Sequence, residues 1–419
     1  MRPILVLACL AATFCSCTPD LPYGAFRHHD TQEALPPGET GDEGGDIAGP
    51  VQPVMKPVFN IVLAEYPDGY DWLRDPDYGI ISCTISLLQN DSALAAFEAG
   101  HAGCISTDMD MVRCIDGHVY TDYSTSSETV VKRDGEELFR YPGREMMAGF
   151  ACAPDAVVYT LGIPRDGDGS GWTLRRNGEP VASSSGGVVI SGMQMEEGGP
   201  SFAYLERHEL VSGTDTTWHL FRNMDETEMI LDGPDEILAD FMVADGAACV
   251  LSWDRASGEM FLYGDGDDSK VTVGNDVCRP GTLLSDGTDI YVLGMVCPSG
   301  EQGRMTLWKG CGQIMSFDDG FTVLACYPDG EHIGAVGYYG GSQEMQYLFH
   351  DGEYVRLPDG YCLASPSLGS FLEGHYCLCL NPLAVGEPPL CIIDGEKSPQ
   401  EVNGCFIALG HVWERIPSP

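Results

Sequence analysis

The sequence predicts an all-β protein, a β-propeller of four-stranded antiparallel blades closed by a C-terminal strand. Three observations predict it. Short apolar runs at period two meet at Asp-Gly or similar turns throughout the chain beyond Val58. These hairpins recur in units of about 36 to 48 residues, which brackets the period of a four-stranded propeller blade. Beyond the first residues, no segment keeps a helical period over about 12 residues.

Taken in order, the chain opens with MRP and the apolar run ILVLACLAATF, too short to span a bilayer as a mature helix and shaped like an export signal. The FCSC that follows resembles a bacterial lipobox, with Phe14 where Leu is usual and Cys15 where a small residue is usual. That resemblance makes Cys17 the lipidated residue of a signal spanning 1–17 and implies a cell-envelope lipoprotein, at the outer membrane or cell surface. An ordinary cleaved signal, giving a soluble secreted or periplasmic protein, is the alternative. No other apolar run is long enough to cross a membrane, so contact with one is expected through the lipid only.

Residues 18–57 turn to Pro, Gly, Asp and Glu, as in PPGETGDEGGDIAGP, and read as a flexible tether. Such a tether reaches roughly 35 Å, enough to hold a folded body clear of a membrane. The propeller is expected over 58–419.

Within that body the headers VLAEYPDG at Val62 and VLACYPDG at Val323 are the closest pair. Related headers begin at Cys114, Cys152, Met242, Leu283, Phe371 and Ile407. A second hairpin follows each but the last, among them SLLQNDSALAAFEAG at Ser86, VVKRDGEELFRYPG at Val130, WTLRRNGEPVASSSG at Trp172 and LCIIDGEKSPQEVNG at Leu390. Eight second hairpins favour eight blades; the poor header between Val188 and Gly233 and a degenerate first unit leave seven open. The last header, CFIALGHVWERI, has no second hairpin, so it is expected to pair with the first unit near Phe59 to Glu65 and close the ring. A closed ring of this kind is expected to be monomeric.

Two units, Asp289 to Gly320 and Ile333 to Gly360, carry the string DIYVLGMVCPSGEQGRMTLWKGCGQIMSFDDG and its nearest relative. Both resemble the repeat of exported lipoprotein propellers common in Bacteroides-type bacteria, and the other six units match more loosely. The resemblance implies fold and address, and no particular reaction.

Charge narrows the partners: 63 acidic against 22 basic residues give a net −41, a surface that repels phosphate backbones, so nucleic acid is excluded as a partner. A protein or glycan ligand is expected, bound by a non-enzymatic binding or scaffold propeller. The alternative, a propeller glycosidase or lyase acting on an extracellular polysaccharide, requires paired carboxylates that spacing alone does not select. No G-x-S-x-G or zinc spacing marks a catalytic centre, and no catalytic residue is assigned.

Three candidate features remain. DGDGSGW offers Asp166, Asp168 and Ser170 as oxygen ligands for calcium, the one cofactor considered, with Asn177 where a bidentate Glu would complete the loop. A solvated polar turn is the plainer reading, and GDGDDS from Gly264 is a weaker copy. Tyr70, Trp72 and Tyr78 lie in a polar irregular stretch and serve either as ligand-contact aromatics or as caps on the closure seam. Trp172, Trp218 and Trp308 recur at one place in the repeat and read as packing residues. His118, His375 and His411 each follow a header Gly, where a ring of metal ligands competes with histidines satisfied beside hairpin turns. Of the cysteines, 14 follow Cys17; most sit in apolar runs and are expected to be buried thiols, with Cys377 and Cys379 badly placed to bridge each other.

Overall fold

Hairpin turns fix the blades. In the computed structural model, which describes residues 55–415 apart from short connecting segments such as 71–82 and 100–111, Asp134-Gly135, Asn177-Gly178, Asp351-Gly352 and Asp394-Gly395 all carry positive φ at both positions. That is the tight turn whose twist matches two antiparallel strands, and Asp or Asn followed by Gly tolerates it best. Each of these residues also receives a backbone N–H from the neighbouring strand. Val119, Val158, Ile333 and Tyr376 donate to Asp134, Asn177, Asp351 and Asp394 at 2.9, 2.9, 3.1 and 2.8 Å.

Eight antiparallel sheets result, arranged as the blades of a ring, and no α-helix occurs among the described residues. We letter the strands A to D from the inside outward. Blade 2 is Val112–Ile115, His118–Ser124, Glu128–Arg133 and Glu136–Pro142. Blade 3 is Glu145–Cys152, Val158–Pro164, Trp172–Arg176 and Glu179–Ser184. In blade 4 strand A is split into Gly187–Val189 and Gln194–Glu196, ahead of Gly199–Leu210, Gly213–Arg222 and Asp225–Met229. Blade 5 is Glu236–Ala244, Ala247–Asp254, Met260–Tyr263 and Lys270–Gly274; blade 6 is Val277–Ser285, Ile290–Val296, Arg304–Lys309 and Gly312–Ser316. Blade 7 is Phe321–Asp329, His332–Tyr339, Gln346–His350 and Glu353–Arg356. Blade 8 splits strand A into Tyr361–Cys362 and Gly369–Leu372, followed by His375–Pro382, Leu390–Ile393 and Glu396–Pro399.

Blade 1 is composite. Its inner strand is the C-terminal Gly404–Arg415, paired in antiparallel register with Met55–Glu65, and Cys83–Gln89 and Ser92–Ala99 complete it. Closure by the C-terminal strand is therefore as expected, with the first strand beginning at Met55 rather than Val58. The seam also corrects the repeat phase. Val62 to Glu65 end strand B and run into a B–C connection, whereas Val323 lies on strand A, so the two most similar headers are not equivalent. At the other end no turn forms at Gly410-His411, which sit inside one continuous strand. Gly410 is there for close approach: a Cβ would fall 2.7 Å from the Cys114 carbonyl oxygen on blade 2.

Apolar clusters fill the junctions between blades, which is where a sheet buried on both faces must place its side chains. Phe59, Ile61, Leu63 and Phe406 of blade 1 join Leu378 and Leu380 of blade 8 and Tyr327 of blade 7. Trp172 packs edge-on against Phe202, Tyr204 and Phe221 between blades 3 and 4, and Trp308 is buried between blades 5 and 6. Trp172 and Trp308 are thus packing residues, and Trp218 packs partly buried against the cluster between blades 4 and 5.

Candidate functional site

Antiparallel blades give the ring two rims, one bearing the A–B and C–D turns and the other the B–C and D–A connections. The turn rim is a regular hydrogen-bonded framework. His118, His332 and His375, each opening a strand B, set Nδ1 2.6, 2.7 and 2.8 Å from Oδ2 of Asp134, Asp351 and Asp394. Header aspartates then tie blade to blade: Asp286 accepts from the Gly330 N–H at 3.1 Å, and Asp329 from the Gly374 N–H at 2.7 Å. His118 and His375 are therefore equivalent, as expected, and the plainer reading holds for them: each is satisfied beside a hairpin turn. His411 is not part of the set. It is buried in the closure strand, and burial lowers its pKa to about 4.

One bracket has an addition. His350, the residue before Asp351, directs Nε2 to within 3.6 Å of Asp351 Oδ2, so that His332, His350 and Asp351 present one ligand atom each within 4.8 Å of one another. Burial works against the charge on Asp351, yet the His332 and Ile333 hydrogen bonds outweigh it and hold the carboxyl below its usual range.

Deeper in the ring the carboxylates serve the framework. Glu145 and Arg175 form a buried two-pronged pair at 2.6 and 2.8 Å, with the guanidinium 3.9 Å over the Tyr141 ring of the preceding blade. Glu196 pairs with Arg222 at 2.6 Å, and Glu236 with Lys270 at 2.8 Å. Asp240 joins two inner strands by accepting from Thr282 and Leu283, and burial pushes its carboxyl up to about 6 against those bonds. Each of these acids is committed to a partner inside the blades.

Cys377 and Cys379 are joined by Cys391, at 3.7 Å from Cys377, a cluster hidden from the sequence because cross-strand register brings it together. All three are fully buried, and burial raises the thiols of Cys377 and Cys379 well above their ordinary range, disfavouring the thiolate that metals and electrophiles require. Elsewhere Cys83, Cys249, Cys326 and Cys405 are buried as expected, while Cys278 and Cys297 depart from that expectation in a disulfide linking strand A of blade 6 to the end of strand B.

The connection rim offers a surface instead. Tyr339, Tyr347 and Tyr354 of blade 7 are half-buried, with ring centroids 5.3 Å apart for Tyr339 and Tyr347 and 5.8 Å for Tyr339 and Tyr354. Phe321 and Phe349 support them from beneath. The exposed Asp318, in the D–A connection, accepts the Tyr339 O–H at 3.0 Å and donates its own N–H to the Tyr354 hydroxyl at 3.0 Å. Flat aromatic faces beside a carboxylate suit a sugar ring or a basic peptide. The sequence singled out none of these three tyrosines; their concentration in one unit was the available signal.

Of the predicted ligand-contact aromatics, Tyr70 stands on this same rim at the closure seam. Its ring lies 5.5 Å from Tyr66, and its carbonyl accepts from Asn403 Nδ2 at 3.1 Å. Trp72, Tyr78, the calcium candidates Asp166, Asp168 and Ser170, and the lipidation candidate Cys17 lie outside the described residues.

No protein-family model matches the chain, and no curated protein matches it. Solved structures do. The β-propeller domain of the trilobed protease from Pyrococcus furiosus matches at 11% identity and a TM-score of 0.44, covering 69% of this chain and 93% of that one. A dihydro-heme d1 dehydrogenase, NirN, matches at 9% identity and a TM-score of 0.49, covering 85% and 75%. A prolyl endopeptidase matches at 12% identity and a TM-score of 0.45, with 72% of this chain spanning about half, 49%, of its length.

Proposed function

We propose that this chain is an exported, lipid-anchored propeller that acts as a non-enzymatic binding or scaffold module and takes its protein or glycan ligand on the connection rim. The observation that carries the reading is the half-buried tyrosine group Tyr339, Tyr347 and Tyr354 with Asp318. These rings pack against the cluster between blades 6 and 7 and stay partly exposed, on the rim that also holds Tyr70. A net charge of −41 favours neutral sugars or cationic peptide segments over anionic partners. Cys17 carries the lipid in this reading, and the tether over 18–57 presents the ring away from the membrane.

The test has two arms. Binding of the full chain to a glycan array and to a set of basic peptides should fall several-fold to about tenfold in Tyr339→Ala and Tyr354→Ala, an aromatic or cation–π contact being worth about 0.5 to 1.5 kcal/mol. Turnover of any bound glycan would overturn the non-enzymatic reading. Cys17→Ala should move the protein from the membrane fraction to the soluble one; unchanged fractionation would remove the anchor.

A further inference from the structure

The turn-rim brackets of blades 2, 7 and 8 form a controlled comparison within one chain. All three pair a strand-B histidine with the Asp of the C–D turn. The residue preceding that Asp is Arg133 in blade 2, Ile393 in blade 8 and His350 in blade 7. A structural bracket needs only the first two groups, as blades 2 and 8 demonstrate. The third group in blade 7 calls for another account.

His350 is held in place rather than free to swing. Its ring packs 5.7 Å from Phe371 and 5.8 Å from Tyr376 on blade 8, and those two rings stack on each other at 5.2 Å. Nε2 is buried and makes no hydrogen bond, standing 3.6 Å from Asp351 Oδ2. A buried ring nitrogen without a hydrogen bond is costly unless something satisfies it. Asp351 is equally fixed. Oδ1 is taken by the Ile333 N–H, which leaves Oδ2 directed at both histidines.

We infer that His332, His350 and Asp351 form a site for a divalent ion of the zinc type, bound through His332 Nδ1, His350 Nε2 and Asp351 Oδ2 with water on the exposed side. Two nitrogens and one carboxylate oxygen are the donor set that imidazole-preferring metals take, and three protein ligands plus water is a common arrangement for zinc. Ligands at about 2.1 Å from one ion stand roughly 3 to 3.5 Å apart. The observed separations from Asp351 Oδ2, 2.7 Å and 3.6 Å, bracket that range, and His332 Nδ1 and His350 Nε2 stand within 4.8 Å of each other, close enough for side-chain rotation to bring all three onto one ion. Packing against Phe371 and Tyr376 holds the His350 ring in one orientation. The acidic surface favours any cation, and the imidazoles supply the selection against magnesium and calcium. This site is on the rim opposite the tyrosine group and does not depend on the ligand proposed there.

The experiment is calorimetric titration of the full, untagged chain with Zn2+ in an excess of Mg2+ that occupies carboxylate-only sites. One Zn2+ per chain is expected, with affinity falling at least tenfold in His350→Ala and in Asp351→Asn, while His375→Ala, in the matching bracket of blade 8, leaves it unchanged. Asp351→Asn keeps the turn, since Asn tolerates the same backbone, and so guards against loss of binding through misfolding. Zn2+ should also raise the melting temperature of the wild-type chain and not that of His350→Ala. No saturable Zn2+ binding, or an equal loss in His375→Ala, would overturn the assignment.

Discussion

Blades 1 and 7 bury comparable inner strands but are held in different ways. Blade 7 is contiguous from Phe321 to Arg356, and its register is set locally by the αL Asp351 turn and the bonds it receives. In blade 1 the inner strand Gly404–Arg415 arrives from the far end of the chain and meets Met55–Glu65 with no turn between them. Its register rests on pairing and on staples from its neighbour. Asn381 of blade 8 donates to the Phe406 carbonyl at 3.0 Å and accepts the Phe406 N–H at 2.7 Å, both buried. Blade 7 supplies one such bond to blade 8, Gln346 Oε1 accepting the Leu363 N–H at 2.7 Å. A local turn fixes register by backbone geometry; a closing strand has no such turn and depends on pairing and on side-chain bonds of this kind.

The severest way to break this comparison is to delete residues 404–419. Blade 1 then loses its inner strand with Phe406, Ile407 and Ala408 from the junctions on both sides, and cooperative thermal unfolding should disappear. A truncated chain melting like the full one would show that the seam is dispensable. Next in size is Asn381→Ala, which leaves a buried N–H and a buried C=O without their partner and should cost on the order of 4 kcal/mol in chemical denaturation. Gln346→Ala removes one acceptor and should cost about half as much; equal losses would mean that the closing strand has no special need of staples.

The seam is also where the sequence was least legible. The C–D hairpins could be read locally, those of blades 2, 3, 7 and 8 from Asp-Gly or Asn-Gly turns between period-two runs, because the turn and both strands lie within about 15 residues. VLAEYPDG at Val62 and IALGHVW at Ile407 look like headers for the same reason, yet each is one half of a blade whose other half is at the opposite end of the chain. Gly410 shows why local pattern misled: the glycine answers to the Cys114 carbonyl of the next blade, and not to a turn. The same limit hid Cys391 beside Cys377 and Cys278 beside Cys297, and it hid His350, whose meaning depends on His332 across the sheet. The tyrosine group was missed because three strands and a D–A connection build it.

Acid should sharpen the comparison further. His411 sits opposite Phe59 on the seam, and burial lowers its pKa to about 4. The unfolded chain takes up this proton near the ordinary pKa of about 6.5 and the folded chain only near 4, so the stability contributed is whole above 6.5 and is lost as pH falls toward 4. The full loss is about 3 kcal/mol at the usual conversion of roughly 1.4 kcal/mol per pH unit. Carboxylates titrate in part of this window, so the measurement is the difference between wild type and His411→Gln. That difference should shrink steadily from pH 6.5 to 4, and a constant one would place the acid sensitivity elsewhere.

The smallest effect belongs to the contiguous design. Asp394→Ala in blade 8 removes a residue suited to φ 50° together with its bonds to the Tyr376 N–H and to His375. The turn is exposed and water replaces much of what is lost, so about 1 kcal/mol is expected. Asp394→Asn should recover most of it, because Asn accepts the same N–H and tolerates the same backbone, as Asn177 does in blade 3 at φ 50°. If Asn fails to rescue, the charge on the His375 bracket rather than the turn geometry is what holds the hairpin. Local register in blade 8 would then depend on side-chain pairing just as the seam does, and the distinction between the two kinds of blade would narrow.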